Sequence, residues 1–219
     1  NNHINLTKNL FQAASQNSVS QFIYFSTIHV YGKNLKGNLT NEILPLPKSM
    51  FAIAHLNAES YLLSQDVEMQ KIIVRCANTF GAPYFENEKC WTLAVNQFCK
   101  MAINTGKIII NSPNEHRNFI PMKKVCKEVQ DLISGKGKNI TINIGDSESV
   151  SIIDMAKKIK LSLNQYLAMN CLIEVNSKYN HTNSSPFTLH PKSKTMNEEN
   201  WVDDEINMLI GYLLDNAKN

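Results

Sequence analysis

An α/β fold built around a parallel sheet is what the 219-residue sequence predicts, and three observations predict it. Segments with helical periodicity alternate with strand-like segments from the first residue onward. The strand-like segments are short, almost continuous apolar runs of β-formers, the signature of strands buried on both faces rather than on one. Each is preceded by a helix long enough to cross back over a sheet, so successive strands run parallel.

The elements follow in order. "HINLTKNLFQAASQN" places Ile4, Leu6, Leu10, Phe11 and Ala14 roughly along one helical stripe, and "QFIYFST" after it reads as a buried strand. "GKNLKGNLTNEILPLPKS" is a polar loop; a helix from about Lys48 to Ser64 and the strand "KIIVRCAN" come next. "ENEKCWTLAVNQFCKMAINTG" sets Trp91, Val95, Phe98 and Ala102 at helical spacing, with Gly106 as its C-terminal stop. "KIIIN" is a strand, "PMKKVCKEVQDLI" a helix with Pro121 near its first turn, and "NITINIG" a strand. Ser151 and Asp154 form a capping-box pattern at the head of "SIIDMAKKIKLSL". "CLIEVN" is a further strand, "SKYNHTNSSPFTLHPKSKT" a polar loop, and Ile206, Leu209, Ile210 and Leu213 share the face of a closing helix. There is no internal repeat and no low-complexity tract.

Bulk properties narrow the function classes. The net charge of +3 is small for the length and the lysines are scattered, so no basic stripe for tracking phosphates exists, and no nucleic-acid partner is expected. Cys76, Cys90, Cys99, Cys126 and Cys171 are odd in number, widely spaced and free of C-x-x-C, which fits reduced thiols and a cytoplasmic setting better than a disulfide frame or a zinc site. No apolar run reaches bilayer length and the opening residues read as a polar helix start, so no membrane partner is expected.

At "QFIYFSTIHVYGKN…TNEILPLPKSMFAIAHLNAE" the chain resembles the extended short-chain dehydrogenase/reductases, the NAD-dependent nucleotide-sugar epimerases and dehydratases. Ser26, Thr27, Val30, Tyr31 and Gly32 match the family's S-[ST]-x-x-V-Y-G, and Pro47, Ser49 and Glu59 match the flanks of its P-x-S-x-Y-x-x-x-K-x-x-x-E. "VRCANTFGAP", "HRNFIPMKKV" and "INIGDSESVSIIDMAKKI" resemble three further family motifs in the expected order, and the likeness runs to about residue 160. It implies an incomplete Rossmann-like parallel sheet over residues 1–80 and a smaller α/β substrate-binding portion, partly interleaved with the sheet, over 81–219. It also implies NAD as cofactor, a nucleotide-diphosphate sugar as partner, a homodimer formed through two helices, and a place in surface-polysaccharide sugar metabolism.

The departures are as informative. None of the eight glycines forms the G-x-x-G-x-x-G turn through which backbone amides approach a dinucleotide pyrophosphate. Against the family pattern, roughly two β-α units of about 30 residues each are absent, and with them most of the adenine and pyrophosphate site.

In the family the tyrosine of Y-x-x-x-K moves a proton to or from the sugar hydroxyl, and the lysine binds the nicotinamide ribose and lowers the tyrosine pKa. Phe51 stands at the tyrosine position and has nothing to ionise; His55 stands at the lysine position, and Thr27 keeps the hydroxyl of the substrate-orienting residue. Loss of general acid–base help costs about 10²- to 10⁴-fold. Two readings stay open: an enzyme in which His55, with Thr27, substitutes as acid–base, and a catalytically degenerate or truncated member that binds a sugar nucleotide or serves as a structural subunit. The resemblance further assigns Asn2 and Ala77 to the cofactor along with Thr27 and His55, and Asn78 and Arg117 to the substrate diphosphate or sugar. Arginine suits that role because its planar fork pairs bidentately with phosphate oxygens. His29 and His116 lack any metal-ligand pattern and read as structural.

Overall fold

In the computed structural model, residues 2–84, 88–135, 139–176, 184–189 and 200–216 are described. Their order is α1 (Asn2–Gln16), β1 (Gln21–Thr27), β2 (Gly37–Leu39), α2 (Met50–Ser64), β3 (Gln70–Cys76), β4 (Asn78–Phe80), α3 (Ala94–Thr105), β5 (Lys107–Ile110) and β6 (His116–Arg117). There follow β7 (Phe119–Pro121), α4 (Met122–Ser134), β8 (Ile140–Ile144), β9 (Val150–Ser151), α5 (Ile152–Leu167), β10 (Leu172–Val175), β11 (Phe187–Leu189) and α6 (Trp201–Asn216). They fall into two compact units. One is drawn from the described residues of Asn1–Ala77, Glu128–Ser147 and Phe187–Lys194, the other from those of Asn78–Lys127, Glu148–Pro186 and Thr195–Asn219.

The first unit is built on a three-stranded parallel sheet in the order β1-β3-β8. Ile23 pairs with Ile72 and Val74 with Ile142, and Ile72, Ile73, Val74, Ile142 and Ile144 are buried, as expected of strands covered on both faces. Helix α1 packs on α2, and Phe11, Tyr24, Ala58, Leu62, Met69 and Ile73 form one core cluster. The stripe expected on α1 is displaced. Thr7 and Phe11 are its buried residues while Leu6 and Leu10 stay 60 % and 55 % exposed, because the seam against α2 follows the i, i+4 line through Thr7 and Phe11. Ser49 caps α2, its Oγ accepting from the Ala52 amide at 3.2 Å.

In the second unit α3, α5 and α6 enclose a core that includes Val95, Phe98, Ile108, Ile159 and Leu209. Helix α3 ends at Gly106 in the left-handed conformation (φ 70°), and Ser151 caps α5 by accepting from the Asp154 amide while donating to the Asp154 carboxylate at 2.6 Å. Trp91 falls outside α3, in a 3-10 turn over Glu88–Thr92. The two segments expected to be plain polar loops each hold a three-residue strand: β2 and β11 pair in parallel, with Leu39, Phe187 and Leu189 buried. Runs this short show no periodicity, and the two hold each other through hydrogen bonds between residues about 150 apart, with the Leu189 amide also donating to the Ser147 carbonyl at 2.8 Å. No described helix is long and apolar enough to cross a membrane.

Candidate active site

Strand β1 and helix α2 position the first group of residues. Residues two apart on a strand and four apart on a helix both recur about every 6–7 Å on one face, so two polar pairs form side by side across this contact. Tyr24 meets His55, its hydroxyl 2.9 Å from Nδ1, and two residues further on the Ser26 hydroxyl donates to the Glu59 carboxylate. Glu59 in turn holds Arg75 of β3 in a buried ion pair, with Nη2 2.7 Å from Oε2, and Arg75 also donates to the Tyr31 hydroxyl at 3.2 Å. Burial works against the Arg75 charge, but the hydrogen bonds and attraction from Glu59 outweigh it and leave the guanidinium pKa above its ordinary value. This network ties the end of β1 to α2.

At that end lies Thr27, buried, its Oγ1 accepting from the His29 amide at 3.2 Å. His55 is buried too, and its ring meets Phe51 edge-on with centroids 4.6 Å apart. Phe51 itself is 59 % exposed and so contributes little to the core. Burial, with the nearby His3 imidazole, pulls the His55 pKa down to about 4, so at neutral pH the ring is uncharged and offers hydrogen bonds but no cation. Asn2 opens α1 and is exposed, whereas its neighbour His3 reaches the site: its Nε2 lies 2.7 Å from the Tyr24 hydroxyl and its ring 4.5 Å from that of His55. Ala77 is buried beyond β3, its amide donating to the Ile144 carbonyl at 2.8 Å.

A stability effect follows from His55. Its folded value lies below the ordinary 6.5, so the unfolded chain binds the extra proton, and the contribution is complete above about pH 6.5 and lost as pH falls toward about 4. Urea denaturation across that range should show wild type losing about 1–2 kcal/mol relative to His55→Gln, a figure reduced for solvent screening of the ring. Parallel pH profiles for the two proteins would rule the effect out.

The second group belongs to the other unit. Asn78 on β4 donates its side-chain amide to the Asn118 carbonyl at 2.9 Å, and Arg117 on β6 pairs through Nε with Glu115 at 3.0 Å. Both line a cavity of about 120 Å³ together with Thr92, Leu93 and Phe119. Arg117 also borders a larger cavity of about 360 Å³, where Gln97, Asn111 and Glu115 are the polar neighbours and Phe98 and Met101 the apolar ones. That volume lies at the lower end of the range of small-ligand sites. No cluster of three or more metal-ligating side chains occurs among the described residues.

Residues 1–145 match the NAD dependent epimerase/dehydratase family. The chain belongs to that family. It is 27 % identical over 154 residues to the dTDP-D-glucose 4,6-dehydratase of Homo sapiens, a match covering 68 % of this chain and 42 % of that protein. It thus spans less than half the length of such relatives. Its fold matches that of a UDP-N-acetylglucosamine 4-epimerase from Methanobrevibacter ruminantium M1 in complex with UDP-N-acetylmuramic acid, with a TM-score of 0.78, 19 % identity, and coverage of 98 % of this chain and 69 % of the other. A UDP-glucuronic acid 4-epimerase from Bacillus cereus in complex with NAD matches with a TM-score of 0.70, 20 % identity, and coverage of 97 % and 67 %.

NAD is the cofactor of the epimerase/dehydratase family, and the residues present fit one end of it. The Thr27 hydroxyl, with its proton still to donate, and the neutral His55 imidazole suit ribose hydroxyls. Among the described residues no glycine-rich turn joins a strand to a helix where a pyrophosphate would sit: Gly32 lies in a 3-10 turn, Gly37 in β2 and Gly106 at the end of α3.

Two members of the first group escaped the sequence reading, His3 and Tyr24. The available signal was polar residues at alternate positions of an otherwise apolar strand, Tyr24 and Ser26, opposite a helix bearing His55 and Glu59 four residues apart.

Proposed function

We propose that the chain supplies the proton-handling and substrate-binding region of an NAD-dependent protein of the epimerase/dehydratase type, acting on nucleotide-diphosphate sugars in surface-polysaccharide metabolism. The observation that supports it is that Asn78 and Arg117, the two residues whose motifs suggest substrate contacts, line one cavity. Arg117 would offer its remaining guanidinium N–H groups to diphosphate oxygens, and Asn78 would orient the sugar. The chemistry that NAD would supply when bound is that of a hydride acceptor. Thr27 orients the sugar hydroxyl and His55, which also meets the ribose, exchanges its proton, while the cytoplasm and a homodimer complete this reading.

The test is calorimetric titration with UDP- and dTDP-sugars, with and without NAD. Wild type should bind, and Arg117→Gln should bind about 10- to 100-fold more weakly, the value of a charge-assisted hydrogen-bond pair. Equal affinity in the two proteins, or no binding of any sugar nucleotide, overturns the assignment.

A second reading, a sugar-nucleotide-binding subunit without catalysis, is favoured by one observation. The side chain at the proton-donor position is Phe51, and the ring beside it, with a pKa of about 4, is a weak base near neutral pH. Multiple turnovers by the wild-type chain exclude this reading. Turnover that appears only in Phe51→Tyr supports it and removes His55 as a substitute base.

A further inference from the structure

Tyr24 is a buried phenol between two imidazoles. His3 Nε2 lies 2.7 Å from its oxygen on one side and His55 Nδ1 2.9 Å on the other. His3 is exposed on α1 and His55 buried on α2, so the three groups form a continuous hydrogen-bonded path from the surface to the buried ring. The other groups near the path are few. The Thr7 hydroxyl approaches Tyr24 but donates its own proton to the His3 carbonyl, and the Glu59 carboxylate is held by Arg75 and Ser26. Burial, with the Glu59 charge, drives the Tyr24 pKa upward, so this phenol stays protonated and can pass a proton only by giving one as it takes one.

The donor inventory then couples the two rings. A neutral tyrosine has one O–H to give, and a neutral imidazole carries a proton on one nitrogen only. If Tyr24 donates to His55 Nδ1, then His3 donates Nε2–H to the Tyr24 oxygen and the His55 proton sits on Nε2. In the reverse order His55 carries its proton on Nδ1, and Tyr24 donates to His3.

We propose that His3 and Tyr24 are a proton relay serving His55, which exchanges protons with solvent along this path rather than directly. The inference rests on the reading of His55 as a proton-handling group of the site. One passage balances as follows. A solvent proton binds His3 Nδ1, the His3 Nε2 proton moves to the Tyr24 oxygen, and the Tyr24 proton moves to His55 Nδ1. His55 releases its Nε2 proton to an acceptor. One proton enters, one leaves, no charge remains, and the hydrogen bonds end in the reverse order, ready to carry a proton outward. Tyr24 and His3 are positioning residues here, since each acts on the reaction through His55.

The decisive measurement is long-range ¹H–¹⁵N correlation of the imidazole rings in the whole chain, labelled at its six histidines, from about pH 5 to pH 8, where imidazoles ordinarily change charge. In wild type each ring's tautomer fixes the other's through Tyr24, so the ring nitrogens of His3 and His55 should step together, His55 taking the Nε2–H tautomer whenever His3 donates Nε2–H to Tyr24. In Tyr24→Phe, nearly the same volume without the hydroxyl, that step should vanish. His3→Gln, on an exposed side chain, gives the same reading should the phenylalanine variant fail to fold: His55 should lose its step. Identical His55 profiles in wild type and either variant sink the relay, as does finding both rings with N–H groups aimed at Tyr24, which would send its proton elsewhere. Sugar-nucleotide titration of the same samples separates the two readings. Coupled rings without binding defeat the functional reading alone, and binding with uncoupled rings defeats the relay alone.

Discussion

Glu59→Gln is expected to lower the unfolding free energy by about 3–5 kcal/mol, the cost of stranding a buried charge. Glu59 and Arg75 have side chains 1 % and 7 % exposed, and the carboxylate takes three hydrogen-bond contacts from the guanidinium, at 3.2, 3.2 and 2.7 Å. An amide in its place keeps one acceptor oxygen but brings an N–H₂ group against donors, and leaves the buried Arg75 charge without a counter-charge, beside the Tyr31 hydroxyl and the face of its ring 5.1 Å away. Removing both charges is a different matter, because the cost of taking two ions out of water disappears along with their attraction. The double substitution Glu59→Leu with Arg75→Met should therefore recover most of the loss. Urea denaturation of the three proteins measures this. A Glu59→Gln variant within about 1 kcal/mol of wild type would show that water, not protein, satisfies the pair.

The sheet was legible because its signals are local. "QFIYFST" and "KIIVRCAN" each carry enough apolar β-formers to declare a strand, and both lie in the three-stranded sheet, but the expected burial on both faces holds for β3 and not for β1, where Phe22 and Ile23 are half-buried and Phe25 is exposed. The caps at Ser151 and Gly106 were legible for the same reason: a hydroxyl three residues before a carboxylate, or a glycine after an apolar stripe, satisfies helix-end groups within one turn. Strands β2 and β11 were not, because neither has a reason to be extended until the other arrives.

The site divides along the same line. Thr27, Phe51 and His55 were visible through the resemblance to the family's motifs. His3 and Tyr24 became visible only once β1 lay on α2, since what makes them chemistry is a 2.7 Å and a 2.9 Å approach between elements 21 and 31 residues apart. The neutrality of His55 belongs to the same class. Sequence gives an imidazole, but only burial beside a second imidazole brings its pKa down to about 4.

Gly32→Ala should cost about 3–5 kcal/mol, from strain at a backbone conformation that L residues rarely adopt together with displacement of packed backbone. Gly32 sits at φ 50° and ψ −104°, directly after the fully buried Tyr31. A Cβ there would overlap the Leu46 carbonyl and crowd the Pro47 Cα, neither of which can turn aside as a long side chain would. Two residues beyond Pro47 the chain caps α2 with Ser49, and the helix then presents Phe51, His55 and Glu59. Pushing the 46–47 backbone away from the end of β1 thus loosens the contact that sets Tyr24 against His55. Gly37→Ala is the internal control, with a comparable φ of 65° but no atom within 4 Å of the added methyl, and should cost only about 1–2 kcal/mol. If the two alanine variants unfold at the same urea concentration, the close approach at Leu46 carries no energy, and the placement of α2 must be set by the polar pairs along β1 instead.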